Sequence, residues 1–116
     1  MPRYLAVYTM RPEDLAGFRK ISKSEQDAVD AAGVPAWAEW EKANEGFIRN
    51  RGGMVGKTLR VTKTGIEEAT NDICGYLVIE AESAEAAAKI FKTHPHITIF
   101  PGYSVDIMPF VAGDGS

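Results

Sequence analysis

Three things that usually announce a protein's chemistry are scarce in this chain. It has one cysteine and two histidines in 116 residues, and its 13 lysines and arginines do not exceed its 16 aspartates and glutamates. Cys74 alone cannot form a disulfide within the chain, and a single thiol fits a reducing compartment. Met1-Pro2-Arg3 runs straight into an alternating segment, without the apolar stretch and cleavage site of a signal peptide. A cytoplasmic location is the resulting expectation. A net charge of -3 repels a phosphate backbone, so no nucleic-acid partner is expected. No apolar run approaches the roughly 20 residues that span a bilayer, which also argues against a membrane partner.

What is present is ordinary material for one globular domain. Hydrophobic residues make up 45% of the chain, enough for a real core at this length. The domain is expected over residues 1–111, with 112–116 a frayed tail.

Arg3 to Met10 alternates with a period of two, which predicts a strand with Leu5 and Val7 on one face and Tyr4, Ala6, Tyr8 and Met10 on the other. Pro12, Glu13 and Asp14 suit a first helical turn, followed by Leu15, Phe18 and Ile21 at helical spacing. Ser22 and Glu25 have capping-box spacing and predict a further helix, interrupted at Gly33 and Pro35. A third helical piece then carries Trp37 and Trp40 on one face.

Past Gly46 the pattern turns to strands. A short strand is expected around Phe47 to Arg49, then a turn at Gly52-Gly53, then a strand from Lys57 to Lys63 that Gly65 ends. Gly56-Lys57-Thr58 is no phosphate loop, because Arg51 stands where the upstream glycine is required and no helix follows. Gly75 to Ala81 is the strongest strand, with Leu77 and Ile79 opposite Tyr76, Val78 and Glu80. Ser83 caps a helix to about Thr93, and Tyr103 to Phe110 makes the last strand, with Val105 and Ile107 opposite Ser104, Asp106 and Met108.

The order is that of an α+β, ferredoxin-like βαββαβ domain with an antiparallel sheet and extra N-terminal helices. Helices cover one sheet face. The other, expected to carry Tyr4, Tyr8, Met10, Tyr76, Val78, Glu80, Asp106 and Met108, is too apolar to stay wet. A homodimer with two facing sheets, a dimeric α/β barrel enclosing a small-molecule cavity, is the economical solution.

Trp37-Ala38-Glu39-Trp40, Gly56-Lys57-Thr58, Asn71, Gly75 through Ser83, Ala86-Ala87-Ala88 and His94-Pro95-His96 together resemble the YCII-related family, close to its DGPF branch. The resemblance covers nearly the whole chain and implies a ferredoxin-like fold paired as a dimeric α/β barrel. It also implies small-molecule chemistry by a histidine on the first helical region and an aspartate in an Asp-Pro step before the last strand. This chain departs on both counts: Arg11 to Asn44 holds no histidine, and His94-Pro95 replaces Asp-Pro. The DGPF tetrapeptide is absent too.

The candidate catalytic residues are therefore His94, His96 and Asp106. Pro95 restrains its neighbours, so the two imidazoles are expected to point to opposite sides, one into the cavity. The structural alternative is that His94 caps the preceding helix. Tyr4, Tyr8, Tyr76, Glu80, Trp37 and Trp40 are candidate ligand-binding residues, with core packing the competing reading for the tryptophans. Arg49 and Arg51 suit an acidic ligand group or simply a solvated loop, and Lys57, Arg60 and Lys63 suit a strand edge. No metal site is expected, because His-Pro-His lacks a third ligand, and no cofactor is called for. Two functions stay open: a cofactor-independent enzyme of lyase, isomerase or monooxygenase type acting on a small metabolite, and a non-catalytic ligand-binding or accessory dimer.

Overall fold

The computed structural model describes residues 1–116. β1 (Arg3–Thr9) leads through α1 (Pro12–Lys20) and α2 (Lys23–Ala43) to β2 (Ile48–Met54). A hairpin of β3 (Thr58–Thr62) and β4 (Gly65–Ala69) follows. β5 (Ile73–Glu80), α3 (Ala84–Ile90), a single turn α4 (Pro95–Thr98) and β6 (Ser104–Pro109) complete the chain. The main sheet is antiparallel throughout, in the order β2-β5-β1-β6. With β3 and β4 set aside as an insertion, this is the ferredoxin-like order. No helix is long and apolar enough to cross a membrane.

Local signals start the helices where the side chains require. Ser22 Oγ accepts from the Glu25 N–H at 3.1 Å, and Ser83 Oγ accepts from the Ala86 N–H at 3.0 Å. Each supplies a partner for one of the donors that a helix N-terminus leaves open. The break expected at Gly33 and Pro35 does not occur, and α2 is one helix of 21 residues. Pro35 removes only its own bond to the preceding turn. Packing on both sides outweighs that loss. Trp40 is buried with its indole N–H on the Ile90 carbonyl at 3.1 Å, and Gly33 is buried under Phe100, where a Cβ would lie 2.4 Å from the ring.

The assignment of β1 faces is reversed. Residues opposite one another in neighbouring strands share a face. Tyr4 stands opposite Ile79, Ala6 opposite both Leu77 and Ile107, and Tyr8 opposite Val105. Tyr4, Ala6 and Tyr8 therefore join Leu77, Ile79, Trp40, Ala87 and Phe91 in the core under the helices. Leu5 and Val7 share the open face with Tyr76, Val78, Glu80, Asp106 and Met108. Both sets of β1 side chains are apolar, so alternation alone did not tell them apart.

The segment expected to fray lies back over the open face. Asn50 Nδ2 donates to the Gly115 carbonyl at 3.0 Å, and Arg3 lies 3.7 Å from Asp114. A Cβ on Gly115 would meet both Val78 and Phe110 at 2.7 Å, and Val78 is accordingly buried.

β2 runs through the expected turn rather than ending before it, and its register against β5 shifts between Asn50 and Gly53. Gly52 adopts φ +57 there, and a Cβ would lie 2.0 Å from the Tyr76 carbonyl oxygen. Gly52→Ala combines a left-handed backbone with a collision against main chain. It is expected to cost about 2 to 3 kcal/mol in urea unfolding, and an unchanged urea midpoint would refute this account of the bulge.

Candidate functional site

The aromatic residues of β1 and α2 meet the histidine loop on the helix side of the sheet. Tyr8 sits with ring centroids 5.0 Å from Trp37, 5.0 Å from His94 and 5.1 Å from His96. Both imidazoles point inward and both are buried, rather than facing opposite sides. The cause is the turn itself. His94 precedes α4, its Nδ1 accepts the His96 N–H at 2.9 Å, and Pro95 supplies the first helical φ. His94 thus opens a new turn, where the alternative reading had it closing the old one. Gly102 passes directly over His96, where a Cβ would collide with the ring.

These bonds decide the proton positions. A nitrogen that accepts from a backbone N–H carries a lone pair, so neutral His94 holds its proton on Nε2. That Nε2–H lies 3.2 Å from Tyr8 Oη and donates to it. Tyr8 then keeps its own phenolic proton for another acceptor. His96 Nε2 lies 2.8 Å from the Thr9 carbonyl, which can only accept, so the lone pair of neutral His96 is on Nδ1. Both His94 nitrogens are committed. His96 retains acid-base capacity.

Burial, with a smaller contribution from neighbouring His96, pushes the His94 pKa down to about 3. Burial also lowers His96, with the main chain at Thr9 and then at Ser104 opposing the shift. Tyr8 moves upward, chiefly through burial and then through the Glu41 and Cys74 charges, so it stays a neutral donor.

Two neighbouring hollows share Trp37 and Met54 as walls. One, of about 110 Å³, is bounded by Tyr8, Glu41, Ile48 and Arg51, with Tyr76 at its border. The other, of about 250 Å³, is formed by Met10, Cys74, His96 and Phe100. The first carries the polar groups: Glu41 accepts the Trp37 indole N–H at 3.1 Å and meets Arg51 at 3.4 Å. The second is apolar apart from His96, with three sulfur atoms and two aromatic rings around it.

Of the sequence candidates, Tyr8, Trp37, His94 and His96 come together. Tyr4 and Trp40 are core residues, Trp40 stacking 4.9 Å from Phe91. Glu80 lies on the open face, bonded to Arg49 at 2.8 Å with Arg3 at 3.8 Å. Asp106 is exposed on that same face and accepts from Ser104 Oγ at 2.8 Å. Neither carboxylate reaches a histidine. Glu41, Met54, Cys74 and Phe100 were not singled out. Glu41 was findable, since it follows Trp37 by four residues on one helix face.

No protein-family model and no curated protein sequence matches the chain. Among solved structures, it is similar to the 5-chloro-2-hydroxyhydroquinone dehydrochlorinase of Burkholderia phenoliruptrix AC1100, determined in complex with 2,5-dihydroxybenzoquinone. The superposition has a TM-score of 0.53 at 19% identity and covers 96% of this chain and 95% of that one. The two chains share a fold. At this identity the likeness speaks for the architecture and its α+β class.

The His94 shift makes a pH prediction. Unfolded, the ring takes a proton near 6.5 and the folded ring does not, so stability falls as pH drops from 6.5 toward 3. By pH 5 the loss from this one group is about 2 kcal/mol. Urea midpoints measured at pH 7 and pH 5 are expected to separate more in the wild type than in His94→Gln. Equal separations would remove His94 as the cause.

Proposed function

We propose that this chain is a YCII-related protein that binds a small, planar, oxygenated molecule in the hollow between α2 and the sheet, and processes it without a cofactor. The observation that carries the proposal is Tyr8, whose oxygen is held by His94 at 3.2 Å and whose own proton is left for a ligand oxygen. Arg51 adds a cation at the same end, while Trp37, Met54 and Phe100 supply flat, polarisable walls.

The chemistry this favours is proton transfer of lyase or isomerase type. His96 Nδ1, free of its proton at neutral pH, takes a proton from a ligand carbon. The C–H electron pair moves toward the ligand oxygen, where the Tyr8 O–H stabilises the developing charge. Returning the proton to another carbon completes an isomerisation, and loss of a leaving group completes an elimination. The fold neighbour's name, a dehydrochlorinase, and its quinone ligand agree with such chemistry. The lone Cys74 keeps a cytoplasmic setting in this reading.

A homodimer through the open sheet face also belongs to the proposal. Tyr76 and Met108 remain exposed there, at 38% and 41%, beside the tail. The hollow lies on the helix side of that sheet, whereas the sequence placed a cavity between two facing sheets. A non-catalytic ligand-binding protein is the second reading, favoured because no carboxylate orients either imidazole.

Titration with 2,5-dihydroxybenzoquinone, followed by tryptophan fluorescence, tests the site. Saturable quenching is expected through Trp37. Tyr8→Phe is expected to weaken binding by roughly 10- to 100-fold, the worth of one hydrogen bond to a charged acceptor. Absence of quenching in the wild type, or equal affinity in Tyr8→Phe, would sink the proposal. Turnover lost in His96→Gln with binding kept would separate the enzyme from the binding protein.

A further inference from the structure

We infer that the β3–β4 hairpin is a clasp that docks its apolar face on a second copy of this chain. The cross-strand pairs place Leu59 opposite Glu68 and Val61 opposite Ile66, so Leu59, Val61 and Ile66 share one face. They are exposed at 69%, 75% and 71%. From Lys57 to Thr70 only Thr58 and Ala69 are even half-buried. The hairpin forms its own two-stranded sheet and shares no ladder with the main one. It stands off the body as an arm.

Such an arm needs a partner. Two strands of five residues are at best marginally stable alone in water, and three aliphatic side chains on one face make the exposure worse. The radius of gyration is 15.7 Å, where about 13 Å is expected of a compact chain this long. The molecule is also thin, at 45 × 44 × 19 Å. Its shape is flat and extended, with the arm outside the main body.

Charge indicates a second copy as the occupant. Lys57, Arg60 and Lys63 outnumber Glu67 and Glu68 on the arm, leaving it one positive charge, while the whole chain carries -3. The rest of each chain then carries -4, opposite in sign to the arm of another copy. Under a two-fold axis each contact is made twice, so two arms clasp two bodies at no further cost in sequence. The arm also springs from residues 55–57 and 70–72, next to the Met54 and Cys74 walls of the hollow, so the clasp is anchored at the ligand site.

Sedimentation velocity with the full chain tests this, with near-UV circular dichroism confirming the fold of each variant. The wild type is expected to be a dimer at 10 μM. Val61→Glu is expected to weaken dimerisation at least 100-fold, while Thr62→Glu, on the other face of the arm, changes it less than threefold. A monomeric wild type at 100 μM would overturn the clasp. So would a Val61→Glu dimer of unchanged affinity, or equal damage from Thr62→Glu. Met108→Glu reads the sheet face separately: if it dissociates the dimer and Val61→Glu does not, the sheet-face dimer stands and the clasp falls.

Discussion

The register of β1 between β5 and β6 is the constraint on which the rest of this structure depends. It turns Tyr4, Ala6 and Tyr8 toward the helices, opposite Ile79, Leu77 and Val105. A slip of one residue would exchange every side chain between faces. Leu5 and Val7 would then fill the core, and Tyr8 would leave the histidines. The core, the hollow and the Tyr8–His94 bond are thus consequences of a single pairing. Cys74 is an extra residue near the start of β5, between the pairs Tyr8–Gly75 and Thr9–Ile73. As the bulged residue it leaves the alternation, and its side chain becomes a wall of the hollow.

Around Tyr8 the energetics favour order over reactivity. His94 is fully buried with both nitrogens bonded, and Trp37 and Trp40 each pack a ring centroid 4.4 Å from it. A charge there would be costly, and the ring stays neutral. What it contributes is direction. It holds the Tyr8 hydroxyl in place at 3.2 Å, while its neighbour His96 bonds the Thr9 carbonyl through Nε2 and has Nδ1 left over. Two histidines separated by one proline thus take different parts, one positioning and one available for proton transfer.

Much of the architecture was legible in the residues. Ser22 and Ser83 marked helix starts, and the alternation in Gly75 to Ala81 marked the central strand and oriented it correctly. Three features escaped for identifiable reasons. α2 continues through Gly33 and Pro35 because Phe100, distant in sequence, packs where Gly33 has no side chain. β4 was missed because Gly65-Ile66-Glu67-Glu68-Ala69 has little strand preference of its own and is held by its partner strand. The tail is held by Asn50, Arg3 and Val78, none of them near it in the chain.

For the site the division is sharper. Composition and order along the chain determined an α+β domain, its helix-covered sheet, and a short list of histidines and aromatics worth watching. Those follow from local periodicity, capping and size, which neighbours in sequence control. Which of the listed residues meet was decided by tertiary structure alone. Tyr8, Trp37, His94 and His96 converge, while Glu80 and Asp106 go to the opposite face with their own partners. The reason is physical. When both faces of a strand are apolar, its period says that the faces differ but not which one is inside, and only pairing with neighbours on both sides settles it.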